Sequence, residues 1–138
     1  MKQKRLLDSY ALLAYLNKEA GYEKVLAVMG KTEANNELLL MCEMNVGEVY
    51  YIISRRRGRD KADYFLDTVL PNLPIQLIAV NFDLILAAAR LKGEYPLSYT
   101  DCFAAAVAES EGAILMTGDP EFKAIEHFIN VDWMSHAG

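Results

Sequence analysis

The chain has 138 residues, of which 53% are hydrophobic and 24% charged, so we expect residues 1–138 to form a single domain with a packed core. A formal net charge of −5 argues against a protein whose whole surface binds nucleic acid, although it leaves local contacts open. Without an apolar run of roughly 18 residues or a signal-peptide pattern, we expect a cytoplasmic protein with no membrane contact.

The first half of the chain predicts short apolar segments alternating with helices. A strand is expected at 5–7, and helices are expected at 9–18, 22–30 and 45–58. Segment 38–41 fits either a strand or the start of the next helix. Cys42 and Cys102 are flanked by apolar residues, as buried free thiols are, and the absence of CxxC and HxxxH spacings makes zinc an unexpected ligand.

The second half continues the same alternation. Helices are predicted at 61–70, 82–92, 101–111 and 121–128, and strands at 75–80, 113–116 and 129–133. The β-branched segment 75–80 predicts a buried strand. Helices that alternate with short apolar strands indicate an α/β fold in three layers, α/β/α, with a mostly parallel sheet of about five strands.

Acidic residues lie where such a fold binds its ligands, just beyond the carboxyl ends of the strands. Asp8 follows the first strand, Asp119 follows strand 113–116, and Asp101 begins the apolar helix. A fourth acid, Glu48, lies one helical turn after Asn45 on the same side of its helix. Taken singly, the three aspartates also fit helix capping, and a partly buried Glu48 needs only one partner.

The four acids together favour a metal site. If they converge, their repulsion destabilises the fold unless a cation lies among them. Oxygen ligands without cysteine or histidine select Mg²⁺ or Mn²⁺, which can activate water for attack on a phosphodiester. The helix behind Asp101 and the strand before Asp119 would then hold the two acids rigidly.

Four motifs carry a family resemblance. In order along the chain they are "LLDSYALLAYL" at 6–16, "NVGEVYYII" at 45–53, "SYTDCFAAAVAES" at 98–110 and "MTGDPEF" at 116–122. They resemble the PIN-domain ribonucleases, most closely the VapC toxins of prokaryotic toxin–antitoxin pairs, over essentially the whole chain.

The resemblance implies roles for single residues and for partners. It implies a Mg²⁺- or Mn²⁺-dependent endoribonuclease with four metal-binding acids: Asp8, Glu48, Asp101 and Asp119. Thr117, Ser9 and Asn45 would support the site by hydrogen bonding. The resemblance also implies a homodimer and a groove for a cognate antitoxin, and apolar faces carrying Leu12, Leu16, Val25 and Met29 leave room for such exposed surface.

A basic segment and one tyrosine are weaker candidates for RNA contact. The segment "SRRRGRDK" at 54–61 contributes Arg55, Arg56, Arg57 and Arg59. These cations fit either phosphate contact, a solvated helix end, or an acidic partner segment. Tyr99, close to Asp101, could stack on a base or pack at the rim of the core.

Two other functions compete with the nuclease. A metal-dependent phosphatase of the haloacid-dehalogenase type also places an aspartate after the first strand, but it usually has a second aspartate where this chain has Tyr10. A non-catalytic module that binds a cation or a protein through the same crevice would bind metal without cleaving RNA.

Overall fold

A five-stranded parallel sheet organises the described part of the chain, residues 2–34 and 36–134 of a computed structural model. Its strands are β1 (Gln3–Leu7), β2 (Glu37–Cys42), β3 (Gln76–Ile78), β4 (Ile114–Thr117) and β5 (Val131–Trp133). Their order across the sheet is β3-β2-β1-β4-β5, and every neighbouring pair is parallel. The predicted three-layer α/β fold is confirmed, and the ambiguous segment 38–41 lies in a strand.

Helices cover both faces of this sheet. They are α1 (Ser9–Asn17), α2 (Tyr22–Glu33), α3 (Glu43–Arg57), α4 (Arg59–Tyr64), α5 (Phe82–Glu94) and α6 (Tyr99–Glu111). Successive strand residues point to opposite faces, so Leu6 packs in one core with α5 and α6, while Leu7 packs in a second core with α1 and α2. Burying each leucine contributes roughly 1.5 to 3 kcal/mol, which explains why the central strands are apolar on both faces.

Helix α6 lies closest to the sheet centre. All residues from Asp101 to Ala108 are buried, and four of them are alanines, whose small side chains let the helix backbone approach the strands. Ser98 caps its beginning, and Gly112 ends it in the left-handed conformation with φ of 62°. This helix is therefore a rigid mount for Asp101.

Two predicted helices are irregular. The helix predicted at 61–70 ends at Tyr64 and continues as a π-helical turn (Phe65–Val69) and a 3₁₀ turn (Leu70–Asn72). Pro71 explains the change, because its ring cannot donate a hydrogen bond and clashes with the preceding helical turn. The helix predicted at 121–128 is only a 3₁₀ turn, Pro120–Ile125, so its α-helical assignment was wrong.

Two expectations about burial were also wrong. Strand β3 is at the edge of the sheet, where Leu77 remains 39% exposed, because the strand has a neighbour on one side only. Leu12, Val25 and Met29 do not form exposed apolar faces, because α1 and α2 bury them against the sheet. Within residues 2–34 and 36–134, no helix has the length and apolarity that a membrane span requires.

Candidate metal centre

The centre begins where two neighbouring strands end. Leu7, the last residue of β1, pairs with Met116 in β4, so Asp8 and Thr117 follow side by side at the same edge of the sheet. Asp8 is fully buried. One of its carboxylate oxygens accepts a hydrogen bond from the backbone N–H of Ala11 at 2.8 Å and thereby caps α1. The capping interpretation is therefore correct for Asp8, but it accounts for only one oxygen.

Thr117 connects the first and the last of the predicted acids. Its hydroxyl donates a short hydrogen bond to the second oxygen of Asp8. The same hydroxyl oxygen accepts from the backbone N–H of Asp119 at 3.0 Å. A buried threonine therefore links the loop that carries Asp119 to the end of β1.

Asp101 lies in the first turn of α6 but does not cap it. The cap is Ser98, whose hydroxyl accepts from the backbone N–H of Asp101 at 3.2 Å. The Asp101 side chain is thus not used in capping, and Asp101 is only 6% exposed. A buried carboxylate that does not cap a helix needs another hydrogen-bond donor or a cation to compensate for its burial.

That donor or cation would lie among three acids. Carboxylate oxygens of Asp101, Asp119 and Glu121 lie within 4.8 Å of one another. Asp119 caps the 3₁₀ turn by accepting from the backbone N–H of Glu121 at 3.0 Å, and Glu121 in turn accepts from the backbone N–H of Ser98 at 3.2 Å. The turn therefore points Glu121 back toward the beginning of α6.

Glu121 was missed in the sequence because it was assigned to the first turn of a helix, where an acid has an ordinary role. The available signal was its spacing: an acid two residues after Asp119, separated from it by a proline, lies in the same tight turn.

Glu48 lies at the edge of this group. It is half-buried on α3, outside the set of three acids within 4.8 Å, and its carboxylate accepts from the hydroxyl of the exposed Tyr51 at 3.4 Å. Its charge nevertheless acts on Asp8, whose pKa it helps to raise. The structure thus brings Glu48 into the electrostatic field of the centre but not into the three-acid group.

Asn45 joins the three helices around the acids. Its amide nitrogen donates to the hydroxyl of Ser9 in α1 and to the carbonyl of Thr100 in α6, both at 3.3 Å. The Ser9 hydroxyl donates in turn to the backbone carbonyl of Asn45 at 3.2 Å. Among the described residues, the side-chain oxygen of the fully buried Asn45 has no hydrogen-bond partner. A buried acceptor of this kind requires a donor such as a water molecule.

Without a bound cation, the centre disfavours the ionised forms of its two buried aspartates, Asp8 and Asp101. Burial raises the pKa of Asp8 from 3.8 to about 7, against the lowering effect of its hydrogen bonds from Thr117 and Ala11. Burial likewise raises the pKa of Asp101 to about 9, and the carboxylates of Asp119, Asp8 and Glu121 add to the effect. Both shifts reflect chiefly the burial of the two carboxyl groups, and the neighbouring negative charges add to that effect.

These donors fit Mg²⁺ or Mn²⁺. All of the candidate ligands are oxygen atoms, and hard oxygen donors with room for water are the ligands these ions prefer. The ion pairs of Lys4, Arg5, Lys24 and Arg59 go to carboxylates elsewhere in the chain. A divalent cation would therefore neutralise charges that the protein's own cations leave in place.

The candidate RNA-contacting residues are all exposed, and each has different neighbours. Arg55 lies over the ring of Tyr51 at 5.6 Å, Arg57 donates to Asn17 at 3.2 Å, and Arg59 pairs weakly with Asp63 at 3.9 Å. Arg56 lines a small pocket beside α1. Tyr99 is 44% exposed and packs its edge on Phe103.

Comparisons with known proteins identify the family and the fold. A family model described as PIN domain matches residues 5–127, whereas no curated protein sequence matches. Among solved structures, the chain is similar to DNA-bound VapBC from Salmonella typhimurium, with a TM-score of 0.73 and 14% identity over 98% of this chain and 100% of the other. VapBC2 from Rickettsia felis, bound to a DNA fragment from its promoter, gives a TM-score of 0.71 and 18% identity over 95% and 98%.

A third similar structure is VapC20 from Mycobacterium tuberculosis, described as a toxin that cleaves the sarcin–ricin loop. Its TM-score is 0.65, with 16% identity over 86% of this chain and 92% of that one. At these identities the structural similarity shows a shared fold.

Proposed function

This chain belongs to the PIN domain family of nucleases, and we propose that residues 1–138 act as a single Mg²⁺- or Mn²⁺-dependent endoribonuclease domain. The observation that carries this proposal is the group of three carboxylates, Asp101, Asp119 and Glu121, within 4.8 Å of one another at the carboxyl ends of parallel strands. Their arrangement provides cation ligands on rigid elements at the edge of the sheet where parallel α/β folds bind their ligands.

Each residue has a proposed part in this chemistry. Asp101, Asp119 and Glu121 hold the cation. Asp8 and Glu48 add negative charge around it and contact it either directly or through a water molecule. Thr117, Ser9 and Asn45 keep the acid-bearing elements in register. When bound, the cation supplies the Lewis acid that activates water and neutralises charge on the leaving oxygen.

Arginine side chains outside the candidate metal centre would guide the RNA backbone. Arg55, Arg56, Arg57 and Arg59 are exposed at the junction of α3 and α4. Arginine side chains contact RNA through its phosphates or through the edge of a base, and Tyr99 next to the centre can stack on a base. Local contacts of this kind are compatible with an acidic protein, because the cation reduces the net charge at the site.

We further propose that the enzyme is the toxin of a toxin–antitoxin pair, acting in the cytoplasm as a homodimer. The support is the fold shared over nearly the full length of the matched chain in two VapBC structures. In this proposal, a segment of the antitoxin blocks the active site until the toxin is released.

Cleavage of RNA is the direct test. The parent chain is incubated with transfer and ribosomal RNA in Mg²⁺, Mn²⁺ or EDTA, and the new 5′ ends are mapped by sequencing. We expect cleavage only with a divalent cation, and a loss of about 100- to 1,000-fold or more in Asp101→Asn, because one charged ligand disappears. Asp67→Asn, an exposed acid outside the centre, is the matched control and should retain full activity.

Two results would contradict the proposal. One is an Asp101→Asn protein that cleaves RNA as fast as the parent does. The other is turnover of small phosphate esters by a parent chain that leaves every tested RNA intact.

A further inference from the structure

A small pocket beside the acidic centre is lined by Tyr10, Leu13, Glu19 and Arg56. We propose that this pocket binds one unpaired nucleobase of the RNA, stacked on Tyr10 and held at its edge by Glu19 and Arg56. The inference rests on the proposed ribonuclease function, and it assigns that enzyme a base-recognition site.

Tyr10 connects the pocket with the centre. Its ring lies directly against the backbone of Gly118, the residue between Thr117 and Asp119. A side chain at Gly118 would force the Tyr10 ring to move, because a Cβ there would overlap the ring and come within 3.0 Å of the Tyr10 atoms Cδ1 and Cζ. This close approach places an aromatic ring next to the loop that carries two of the site residues.

The ring is also available to a ligand. Tyr10 follows Asp8 and Ser9 at the beginning of α1, yet it is 45% exposed while its two neighbours are buried. An aromatic ring that packs on a glycine backbone and remains partly exposed gives a stacking surface for a base. A tyrosine that served only the core would bury more of its ring.

The volume of the pocket limits what can enter it. It encloses about 160 Å³, below the roughly 300 to 1,000 Å³ of pockets for drug-sized ligands. A single ring system fits this space, whereas a helix or strand of a protein partner is too large.

The two charged residues of the pocket match the edge of a base. Arg56 is exposed, and no hydrogen bond or ion pair of its side chain is found within residues 2–34 and 36–134. A guanidinium donates to base acceptors such as O6 and N7 of guanine, and a carboxylate accepts from base N–H groups. Guanine offers both edges, since its N1–H and 2-amino group are adjacent donors for Glu19.

Binding without cleavage tests the site independently of catalysis. A short single-stranded RNA with one guanine is titrated into the non-cleaving Asp101→Asn chain, with and without Tyr10→Ala. Loss of base stacking should weaken binding by about 5- to 150-fold, and Tyr10→Trp should restore most of it. Replacing guanine by inosine removes the 2-amino group, so it should weaken binding to the Asp101→Asn chain but have little further effect in Glu19→Gln.

Matched controls come from the opposite face of the sheet. Arg90→Gln and Glu94→Gln change the same charges on exposed positions of α5 and should leave affinity and base preference unchanged, in contrast to Arg56→Gln and Glu19→Gln. Thermal unfolding of every variant separates a binding defect from a folding defect. In an active chain, Tyr10→Ala should also change which bases flank the cleaved bonds, which a purely structural role would not do.

The outcomes separate the two proposals. Two results would overturn the nucleobase site even if the enzyme cleaves RNA. One is equal RNA affinity of the Asp101→Asn chain with and without Tyr10→Ala, and the other is identical cleavage sites and rates in the active chain with and without Tyr10→Ala. RNA binding that depends on Tyr10, in a parent chain that cleaves nothing, would support the nucleobase site and overturn the proposed nuclease function.

Discussion

Two clusters of carboxylates in this molecule are built in opposite ways. On the face of the sheet covered by α2, Glu37 and Asp132 are paired with Arg5 at 3.1 and 2.7 Å, and Lys24 binds Asp132 at 2.9 Å. We call this group the mixed-charge cluster. The acidic centre gathers Asp8, Asp101, Asp119 and Glu121 at the carboxyl ends of β1 and β4. The first cluster contains its own cations, whereas the second gathers only acids.

The difference shows what each cluster is for. A salt bridge within the chain neutralises charge permanently, so the mixed-charge cluster serves to hold β1, β2, β5 and α2 together. Acids without such neutralisation weaken the fold by repulsion, and their convergence makes sense when a diffusible cation completes the site. The two clusters should therefore respond in opposite directions when one charged residue is removed.

The largest expected effect is on the mixed-charge cluster. Arg5→Met keeps most of the side-chain length but leaves Glu37 and Asp132 without their central partner, with side chains only 10% and 28% exposed. We expect a loss of about 3 kcal/mol in the free energy of unfolding, measured by urea denaturation, because breaking a buried ion pair leaves an uncompensated charge.

Lys4→Met is the matched control on the same strand. Lys4 pairs with Glu111 through side chains that are 37% and 35% exposed, so its removal should change stability by less than about 1 kcal/mol. Equal losses in the two variants would show that the buried network has no special role.

Cation binding should stabilise the acidic centre by a similar amount. At about 100 times its dissociation constant, a ligand that binds only the folded state adds roughly 2.7 kcal/mol. We expect the thermal midpoint of the parent chain to rise along a Mg²⁺ or Mn²⁺ titration and that of Asp101→Asn to rise much less. An equal rise in both proteins would place the bound cation elsewhere.

Removing a charge from the acidic centre should stabilise the chain when no cation is bound. In EDTA at pH 8, the folded parent chain must either keep a proton on Asp101 or ionise it beside the other acids, and Asp101→Asn removes that cost. We therefore expect the free energy of unfolding to increase by about 2 kcal/mol after allowance for solvent screening. Asp67→Asn, on the exposed π-helical turn, should change it by less than about 0.5 kcal/mol. A less stable Asp101→Asn protein in EDTA would contradict mutual repulsion.

The same difference should depend on pH. In the folded chain the pKa of Asp101 is raised from 3.8 to about 9, so between these values the folded state retains a proton that the unfolded state has lost. The contribution of this acid to stability is therefore complete below about pH 4 and is lost as the pH rises through 9. We expect the parent chain in EDTA to lose stability relative to Asp101→Asn by less than about 1.4 kcal/mol per pH unit. A pH-independent difference would contradict the raised pKa.

The smallest effect is expected at the rim of the mixed-charge cluster. Lys24 is 46% exposed at its side chain, and it also donates to the carbonyl of Trp133 at 2.7 Å. We expect Lys24→Met to lower the free energy of unfolding by about 0.5 kcal/mol, an effect that added salt should reduce. A loss as large as that of Arg5→Met would mean that the lysine, rather than the arginine, holds the network together.

Local patterns in the sequence predicted most of the fold and part of the candidate site. Apolar runs marked the strands, and Asp8 and Asp119 were expected near each other because both follow strands of a parallel sheet. The wrong assignment of a helix at 121–128 had the largest consequence, because it made Glu121 look like an ordinary acid in a first helical turn, and Glu121 was left out of the predicted site. In the structure, Pro120 and the Asp119 cap begin a 3₁₀ turn that directs Glu121 toward Ser98.

The sequence by itself determined which segments are apolar, where they are interrupted and which acids follow them, because these features depend on residues close together in the chain. Only the tertiary structure decided which acids come within ligand distance, that Asn45 joins α1, α3 and α6, and that the Tyr10 ring lies on Gly118. The contacts of Asn45 and Tyr10 join residues 36 to 108 positions apart, and their geometry depends on strand order and on helix packing, which no local pattern contains.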